Sequence, residues 1–268
     1  MINLVVALMV EARPLVEYFR LREDRRVRGF RVYAGDETRL IVTGVGKVNA
    51  AAGVAYLHRF GSGTENEAWL NVGVAGHPEQ PVGQGMHAVR VVDEATGRAW
   101  YPPQTVTLPG RPTTVLTVDR PVVEFTSDAA CDMEASGFYS CAVRFATSEL
   151  IQCYKIISDN RAIKSADVTK TSVRPLIGDH ASAVRQIADD LRALRQALPA
   201  GATAQEEVER FLHRWHFTVS QKHQLQDLLR RWYARTEEPV WNEDLNRAPS
   251  AKAAMARIAQ RLEEMPVL

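Results

Sequence analysis

The sequence lacks a charge bias, paired cysteines and long apolar runs, and each absence excludes a class of protein. Its 33 basic and 32 acidic residues leave a formal net charge of +1, so no global field favours nucleic acid or an anionic membrane as a partner. Its three cysteines are an odd number without a CxxC pair, which argues against a disulfide framework or a zinc site. Small buried thiols in a reducing compartment are favoured, and we expect a cytoplasmic protein.

The early apolar run from Ile2 to Val10 has no basic residue before it and meets Glu11 and Arg13 at once. It is too short and wrongly flanked for a signal peptide or a membrane span. We interpret it as a first β-strand and expect no membrane partner.

Strand-like and helix-like patterns alternate over the first 160 residues. Helical periodicity covers Lys47 to Phe60 and Glu134 to Phe145. Several strand-like segments are apolar throughout, as strands covered on both faces are. The alternation predicts an α/β fold with a central mixed, mostly parallel sheet flanked by helices. The expected strands are Ile2–Leu8, Leu40–Thr43, Trp69–Val74, Ala88–Val92, Thr114–Val118 and Gln152–Ile157.

After Asn160 every segment has helical periodicity. We place a boundary near Ala200, which gives an α/β domain over residues 1–200 and an all-α extension of unknown role over 201–268. We expect Ser220 to cap one of its helices and the last helix to begin at Ser250. Its tryptophans lie near arginines in the sequence. This pattern occurs in nucleic-acid-binding segments, and it also occurs where tryptophans only pack against protein. The balanced charge favours packing onto the α/β domain or a second subunit.

The stretch from Cys131 to Asn160 holds the first candidate chemistry. Met133 and Glu134 fall where a helix begins, with acidic residues expected in its first turn, and a buried strand then ends at Ser158 and Asp159. Ligands of doubly wound sheets bind outside the carboxyl ends of the strands, so Asp159 is expected to point into that crevice. Glu134, on the preceding helix, is expected to face the same space. Two carboxylates on opposite sides of one pocket are suited to stabilising a cation.

Three further stretches follow expected strands. Glu11 comes directly after the first, where an ordinary first-turn acid is the plainer interpretation. The turn from Gly44 to Asn49 is neither a full GxGxxG nor a Walker loop, and a tight turn is favoured over a phosphate cradle. Small residues from Asn71 to Gly76 fit close packing or a wall for a flat ligand, and His77 is expected to be a loop residue and not a catalytic base.

Together these stretches resemble the purine nucleoside phosphorylase and uridine phosphorylase superfamily, and within it most closely the methylthioadenosine/S-adenosylhomocysteine nucleosidases. The matching segments are Glu11-Ala12-Arg13-Pro14-Leu15, the turn from Gly44 to Val48, Asn71 to Gly76, Met133-Glu134-Ala135, and Ile157-Ser158-Asp159. Their order and strand-end placement follow the family pattern over roughly residues 1–198.

The resemblance implies a three-layer phosphorylase-like fold and cleavage of an N-glycosidic bond in an adenosine-type nucleoside, either unmodified or modified at the 5′ position. Asp159 would protonate the purine N7 with a pKa raised by burial, Glu134 would hold ribose hydroxyls, and Glu11 would activate water. It implies no cofactor or metal, a small nucleoside as the substrate and a homodimer. The remaining substrate-binding positions implied are Gly46, Gly73, Val74, Ala75, Met133 and Ser158.

Two other functions stay open at this stage. A phosphate-dependent phosphorylase remains possible because Arg13, Arg90, Arg120 or Arg144 could reach the site. A non-catalytic nucleoside-binding or interaction protein is the alternative of another class. It is motivated by altered specificity segments: Val74 replaces a common serine, residues 119–125 lack the usual base-stacking pattern, and residues 160–174 lack the usual phenylalanine pattern.

Overall fold

The computed structural model describes residues 1–60, 67–122, 124–198, 201–233, 236 and 238–265. The chain forms two compact units, Met1–Arg195 and Gln196–Leu268. Residue 200, at which the sequence analysis placed the boundary, lies outside the described residues.

The first unit contains a mixed sheet. Within the described residues its strands are β1 (Ile2–Val6), β2 (Arg22–Glu23), β3 (Arg31–Ala34), β4 (Thr38–Val42), β5 (Ala68–Gly76), β6 (Gly85–Asp93), β7 (Ala99–Trp100), β8 (Arg111–Thr117), β9 (Ala130–Asp132) and β10 (Ile151–Asp159). Each strand expected from the sequence is present, whereas the short strands β2, β3, β7 and β9 were not expected.

The sheet brings three strand ends together. Strand β1 lies between β4 and β5 and is parallel to both, and β5 is also parallel to β10. Strand β10 also pairs with β6, in antiparallel orientation, and β6 is parallel to β8. Strand β9 pairs with β8 and with the end of β5. Because β1, β5 and β10 run in one direction, their carboxyl ends share one edge of the sheet.

The described helices lie between and after these strands. No described helix is both long and apolar enough to cross a membrane. The helices of the first unit are α1 (Met9–Tyr18), α2 (Lys47–Phe60), α3 (Ala135–Ala142), α4 (Lys170–Asp179) and α5 (Ala181–Ala197), and those of the second are α6 (Gly201–Arg214), α7 (Val219–Tyr233), α8 (Glu243–Asn246) and α9 (Ala251–Glu264).

Burial explains why the central strands are mostly apolar. Every residue of β1 and β10 is buried. Val5 joins the core beneath α2 and α3, while its neighbours Leu4 and Val6 point to the opposite face and are also fully buried. Both faces are therefore covered by helices, which confirms the α/β fold with a central sheet flanked by helices.

One correction concerns the beginning of α3. The sequence analysis put acidic residues in its first turn, but the helix begins at Ala135, and Asp132 belongs to β9. The Asp132 carboxylate instead accepts hydrogen bonds from the backbone N–H groups of Glu134 (3.2 Å) and Ala135 (2.8 Å). An aspartate before the helix satisfies its free N–H groups better than one within it.

The second unit has an apolar core of its own. Trp232 is buried in it, and Trp215 and Trp241 pack against it, so the expectation that the tryptophans cover another domain or subunit is wrong for these contacts. The expected cap also differs: α7 begins at Val219, and the hydroxyl of Thr218, not Ser220, accepts a hydrogen bond from a first-turn N–H. Helix α9 is capped by Ser250 as expected.

Helices α2 and α3 cross so closely that Gly137 cannot carry a side chain. A Cβ atom at this position would overlap the carbonyl oxygen of Lys47 at the start of α2. We predict that Gly137→Ala lowers the free energy of unfolding by about 1–3 kcal/mol, since backbone must move to admit the methyl group.

Denaturant unfolding measures this change. Gly178→Ala is the matched control, because a Cβ there would make an ordinary 3.8 Å contact with Pro14. A Gly137→Ala protein as stable as the control would contradict the close crossing.

Candidate active site

A cleft of about 180 Å³ opens at the edge where β1, β5 and β10 end. The sequence analysis named nine site residues, and seven line this cleft: Glu11, Val74, Ala75, Met133, Glu134, Ser158 and Asp159. Three carboxyl groups that are distant along the chain thus converge on one space.

Backbone hydrogen bonds fix the carboxylate of Glu11. Its Oε2 atom accepts from the N–H groups of Ala7 (3.1 Å) and Leu8 (2.8 Å), and its Oε1 atom accepts from Val74 N–H (3.1 Å). Burial raises the pKa of Glu11, while these hydrogen bonds and the charge of Lys155 oppose the rise. The three N–H donors hold the side chain at the wall of the cleft and favour its ionised form over its protonated form.

Glu134 is held by the glycine turn that precedes α2. The N–H group of Gly46 donates to Glu134 Oε1 at 2.8 Å. Burial raises the pKa of Glu134 to about 7, with Lys155 opposing the rise and Asp132 adding to it. Gly46 itself does not line the cleft, so within the described residues its observed contact is with the carboxylate.

Asp159 is the last residue of β10, and its carboxyl group lies close to the backbone of β5 at Gly76. Ser158 Oγ donates to its Oδ1 atom at 2.6 Å, and burial raises its pKa. A Cβ at Gly76 would stand 2.6 Å from Asp159 Oδ2 and 3.1 Å from the ring of Phe125. The ring therefore lies beside the acid although its segment lacks the family pattern, and sequence reasoning missed it.

Lys155 is the main functional candidate that sequence reasoning missed. Its ammonium group is buried and forms an ion pair with Asp132 at 2.8 Å. Burial acts to lower the pKa of Lys155, but Asp132 and Glu134 outweigh it and raise the pKa above its ordinary value. A lysine inside the apolar strand Cys153–Ile157 was the available signal, since an unpaired cation is rarely buried there.

Gly73 explains how acid and cation fit together. A Cβ at this position would stand 3.0 Å from Glu11 Oε1 and 3.7 Å from Lys155 Nζ. Like Gly46, Gly73 does not line the cleft. The role of these two glycines in substrate binding stays a prediction. In the structure, Gly73 leaves room for the carboxylate of Glu11, and the N–H group of Gly46 binds the carboxylate of Glu134.

His77 is placed as a structural residue. It is buried, and its Nδ1 atom accepts hydrogen bonds from the N–H groups of Glu79 (3.1 Å) and Gln80 (3.2 Å). Burial lowers its pKa. His77 lies outside the helices and strands, as expected of a loop residue, whereas its exclusion as the catalytic base stays a prediction.

Among the residues that line the cleft in the described part of the chain, none is Lys or Arg. Lys47, in the glycine turn, is paired with Asp93 (3.1 Å) and Asp119 (2.9 Å). The described residues also contain no group of three or more His, Cys, Asp or Glu side chains that could hold a metal ion. The lining of the cleft therefore presents acids, and the ammonium group of Lys155 is buried behind them.

Solved structures with this fold are known, although the sequence matches no known family profile and no curated protein. A 5′-methylthioadenosine nucleosidase of Arabidopsis thaliana is 14% identical, covers 71% of this chain and 95% of its own, and has a TM-score of 0.60. A Streptococcus pneumoniae MTA/SAH nucleosidase in complex with 8-aminoadenine is 19% identical, with coverages of 70% and 99% and a TM-score of 0.60. This chain has the nucleosidase fold.

A further solved structure with the nucleosidase fold is futalosine hydrolase of Helicobacter pylori. It is 15% identical, covers 70% of this chain and 97% of its own, and has a TM-score of 0.57. The resemblance inferred from short motifs is thus confirmed for the fold.

The ion pair between Lys155 and Asp132 generates a stability prediction. Lys155→Met should lower the free energy of unfolding by about 3–5 kcal/mol, because it leaves buried acid without its cation. Adding Asp132→Asn should restore about 1–2 kcal/mol, since the amide oxygen can still accept from α3 while the unpaired charge is gone.

Denaturant unfolding of both single variants and the double variant measures the coupling. Additive losses in the double variant would show that the two groups do not stabilise one another.

Proposed function

We propose that the chain is a nucleosidase that hydrolyses the N-glycosidic bond of a purine nucleoside of the adenosine type. The convergence of Glu11, Glu134 and Asp159 on one cleft carries this proposal. Breaking the bond between C1′ and the base builds positive charge on the sugar and negative charge on the base. A site of acids at different protonation states meets both demands.

Asp159 acts at the base. Its buried carboxyl keeps a proton above the ordinary pKa of an aspartate, and Oδ2 has no hydrogen-bond partner within the described residues. As the C1′–N9 bond breaks, its electron pair passes to the base and the Asp159 proton moves to N7. Val118, Pro121 and Val122 supply apolar lining that the purine contacts, and the Phe125 ring lies beside Asp159 without lining the cleft.

Glu134 and Glu11 act at the sugar. Glu134, held by Gly46 N–H, accepts hydrogen bonds from ribose hydroxyls and stabilises the positive charge that develops. Glu11 accepts a proton from the water that attacks C1′, so the products are a free base and a ribose derivative. Lys155 stands behind both carboxylates and limits their mutual repulsion.

Water is favoured over phosphate as the nucleophile. A phosphate would need free cations or free backbone N–H groups in the cleft. No Arg or Lys is among the described lining residues, Lys47 is bound to two aspartates, and the Gly46 N–H group is bound to Glu134. None of Arg13, Arg90, Arg120 and Arg144, which kept the phosphorylase open, lines the cleft.

A homodimer and a cytoplasmic location belong to the same proposal. Exposed apolar side chains at and beside the mouth of the cleft, Leu8, Val45 and Val48, favour a second subunit there. The three thiols are free, as in a reducing compartment.

Release of free base from purine nucleosides tests the activity. We predict turnover of adenosine-type nucleosides that does not depend on phosphate, and a drop of at least ~10²-fold in kcat for Asp159→Asn and for Glu11→Gln. Asp167→Asn is the control, because Asp167 is an exposed carboxylate outside the cleft.

Two results would reject the hydrolase. Strict dependence on phosphate would indicate a phosphorylase, and binding of nucleosides without base release would indicate the non-catalytic alternative.

The raised pKa of Glu134 generates a pH prediction. Its ionised form accepts from ribose hydroxyls, and its pKa of about 7 means that it gains a proton as the pH falls through this value. KM should therefore rise as the pH falls below about 7, and Glu134→Gln should have a high KM without this pH dependence. Initial rates over a pH series measure it. A wild-type KM that stays constant across this range would remove Glu134 from ribose binding.

A further inference from the structure

Asp93, the last residue of β6, is a buried anchor for Lys47 and for the start of α3. Its Oδ2 atom accepts a hydrogen bond from Ser136 Oγ at 2.8 Å and pairs with Lys47 Nζ at 3.1 Å. Its Oδ1 atom accepts from the N–H group (3.0 Å) and the hydroxyl (2.8 Å) of Thr96. Ser136 lies in the first turn of α3, two residues after Glu134. Asp93 is therefore held by four donors and in turn fixes Lys47.

The ammonium group of Lys47 also binds a segment at the base side of the cleft. Its Nζ atom pairs with Asp119 at 2.9 Å. Asp119 lies between residues that supply the apolar lining of the cleft, namely Val118, Pro121 and Val122. We name Val118 to Val122 the base-side segment. One ammonium group thus connects this segment to the buried end of β6.

The backbone at Lys47 belongs to the turn that binds Glu134. Lys47 is the first residue of α2 and directly follows Gly46, whose N–H group donates to Glu134 Oε1 at 2.8 Å. The same backbone packs on α3, since a Cβ at Gly137 would overlap the Lys47 carbonyl oxygen. An anchored Lys47 therefore keeps the N–H group directed at the carboxylate on the sugar side.

We propose that Lys47 is a positioning residue that couples the base side of the cleft to its sugar side. Through Asp119 it holds the base-side segment against the purine, and through the turn it holds Glu134 against the ribose. Lys47 is not among the described residues that line the cleft, so it acts through these neighbours. This inference rests on the proposed nucleosidase function and adds a residue that fixes the distance between two of its contacts.

Asp119→Ala tests the connection to the base-side segment alone. Asp119 is exposed, so the protein should still fold, and the pair between Lys47 and Asp93 remains. We expect KM for adenosine to rise roughly threefold to fivefold while kcat stays within about twofold, because ground-state binding is lost and the acids are unchanged. The control is Arg120→Gln, an exposed change in the same segment, which should leave KM and kcat as they are.

Lys47→Met removes both ion pairs at once. KM for adenosine should rise roughly tenfold, because the base-side segment and Glu134 both lose their fixed positions. Lys47→Arg keeps a cation between the two aspartates and should restore most of the wild-type KM. If Lys47→Met fails to fold, Asp119→Ala still decides the proposal.

The pH dependence of KM separates positioning from a role in folding alone. Burial raises the pKa of Glu134, and the N–H group of Gly46 opposes the rise. Lys47→Met loosens the turn, so this pKa should increase further, and KM should begin to rise at a higher pH than in the wild type. Lys47→Arg should keep the wild-type pH dependence. The other charged groups that face Glu134 are the same in all these variants: Lys155, Asp132 and Glu11.

A wild-type KM in Asp119→Ala, or an unchanged pH dependence in a folded Lys47→Met protein, would overturn the proposal while leaving the nucleosidase intact. Absence of base release from every nucleoside would instead reject the nucleosidase. In that case calorimetric binding of adenosine still tests the coupling: Asp119→Ala must weaken binding and Arg120→Gln must not. Equal dissociation constants, or no binding to the wild type, would overturn it.

Discussion

The buried ammonium group of Lys155 is the charge on which the arrangement of acids depends. It pairs with Asp132 at 2.8 Å, and its charge lowers the pKa values of Glu11 and Glu134 against the effect of burial. Without a cation, burial and mutual repulsion would drive these groups to their neutral forms. Asp159 differs, because burial raises its pKa and only the Ser158 hydroxyl opposes this. The charge of Lys155 thus opposes protonation of Glu11 and Glu134, whereas at Asp159 the opposing group is the neutral hydroxyl of Ser158.

The backbone had to make room for these groups, and glycines at the end of β5 do so. Gly73 leaves space for Glu11 and Lys155, and Gly76 leaves space for Asp159. The register of β5 with β10 places Lys155 opposite Gly73 and Asp159 opposite Gly76. The strand pairing that forms the core therefore also sets the spacing of the acids, so fold and chemistry share one set of contacts.

Much of the fold was predictable because buried strands and amphipathic helices leave periodic apolar patterns. The strands that the sequence did not predict are short. Strand β9 lies in a segment whose acidic residues were interpreted as the first turn of a helix. The acids of the cleft were predictable from short motifs at strand ends. The role of Lys155 was not predictable in this way, because it depends on a pairing with Asp132, which lies on another strand. The position of Phe125 was not predictable either, because its segment has no periodic pattern. The core of the second unit was mistaken for a docking surface because sequence patterns do not show which apolar faces meet.

A crystal structure with adenine bound tests the central claim most directly, namely that Glu11, Glu134 and Asp159 surround one nucleoside. The account predicts the base against the apolar lining of the cleft, with its N7 within hydrogen-bond distance of Asp159 Oδ2, and with Glu11 and Glu134 facing the space that the sugar would occupy. Adenine bound elsewhere, or bound in this cleft with N7 turned away from Asp159, would contradict it.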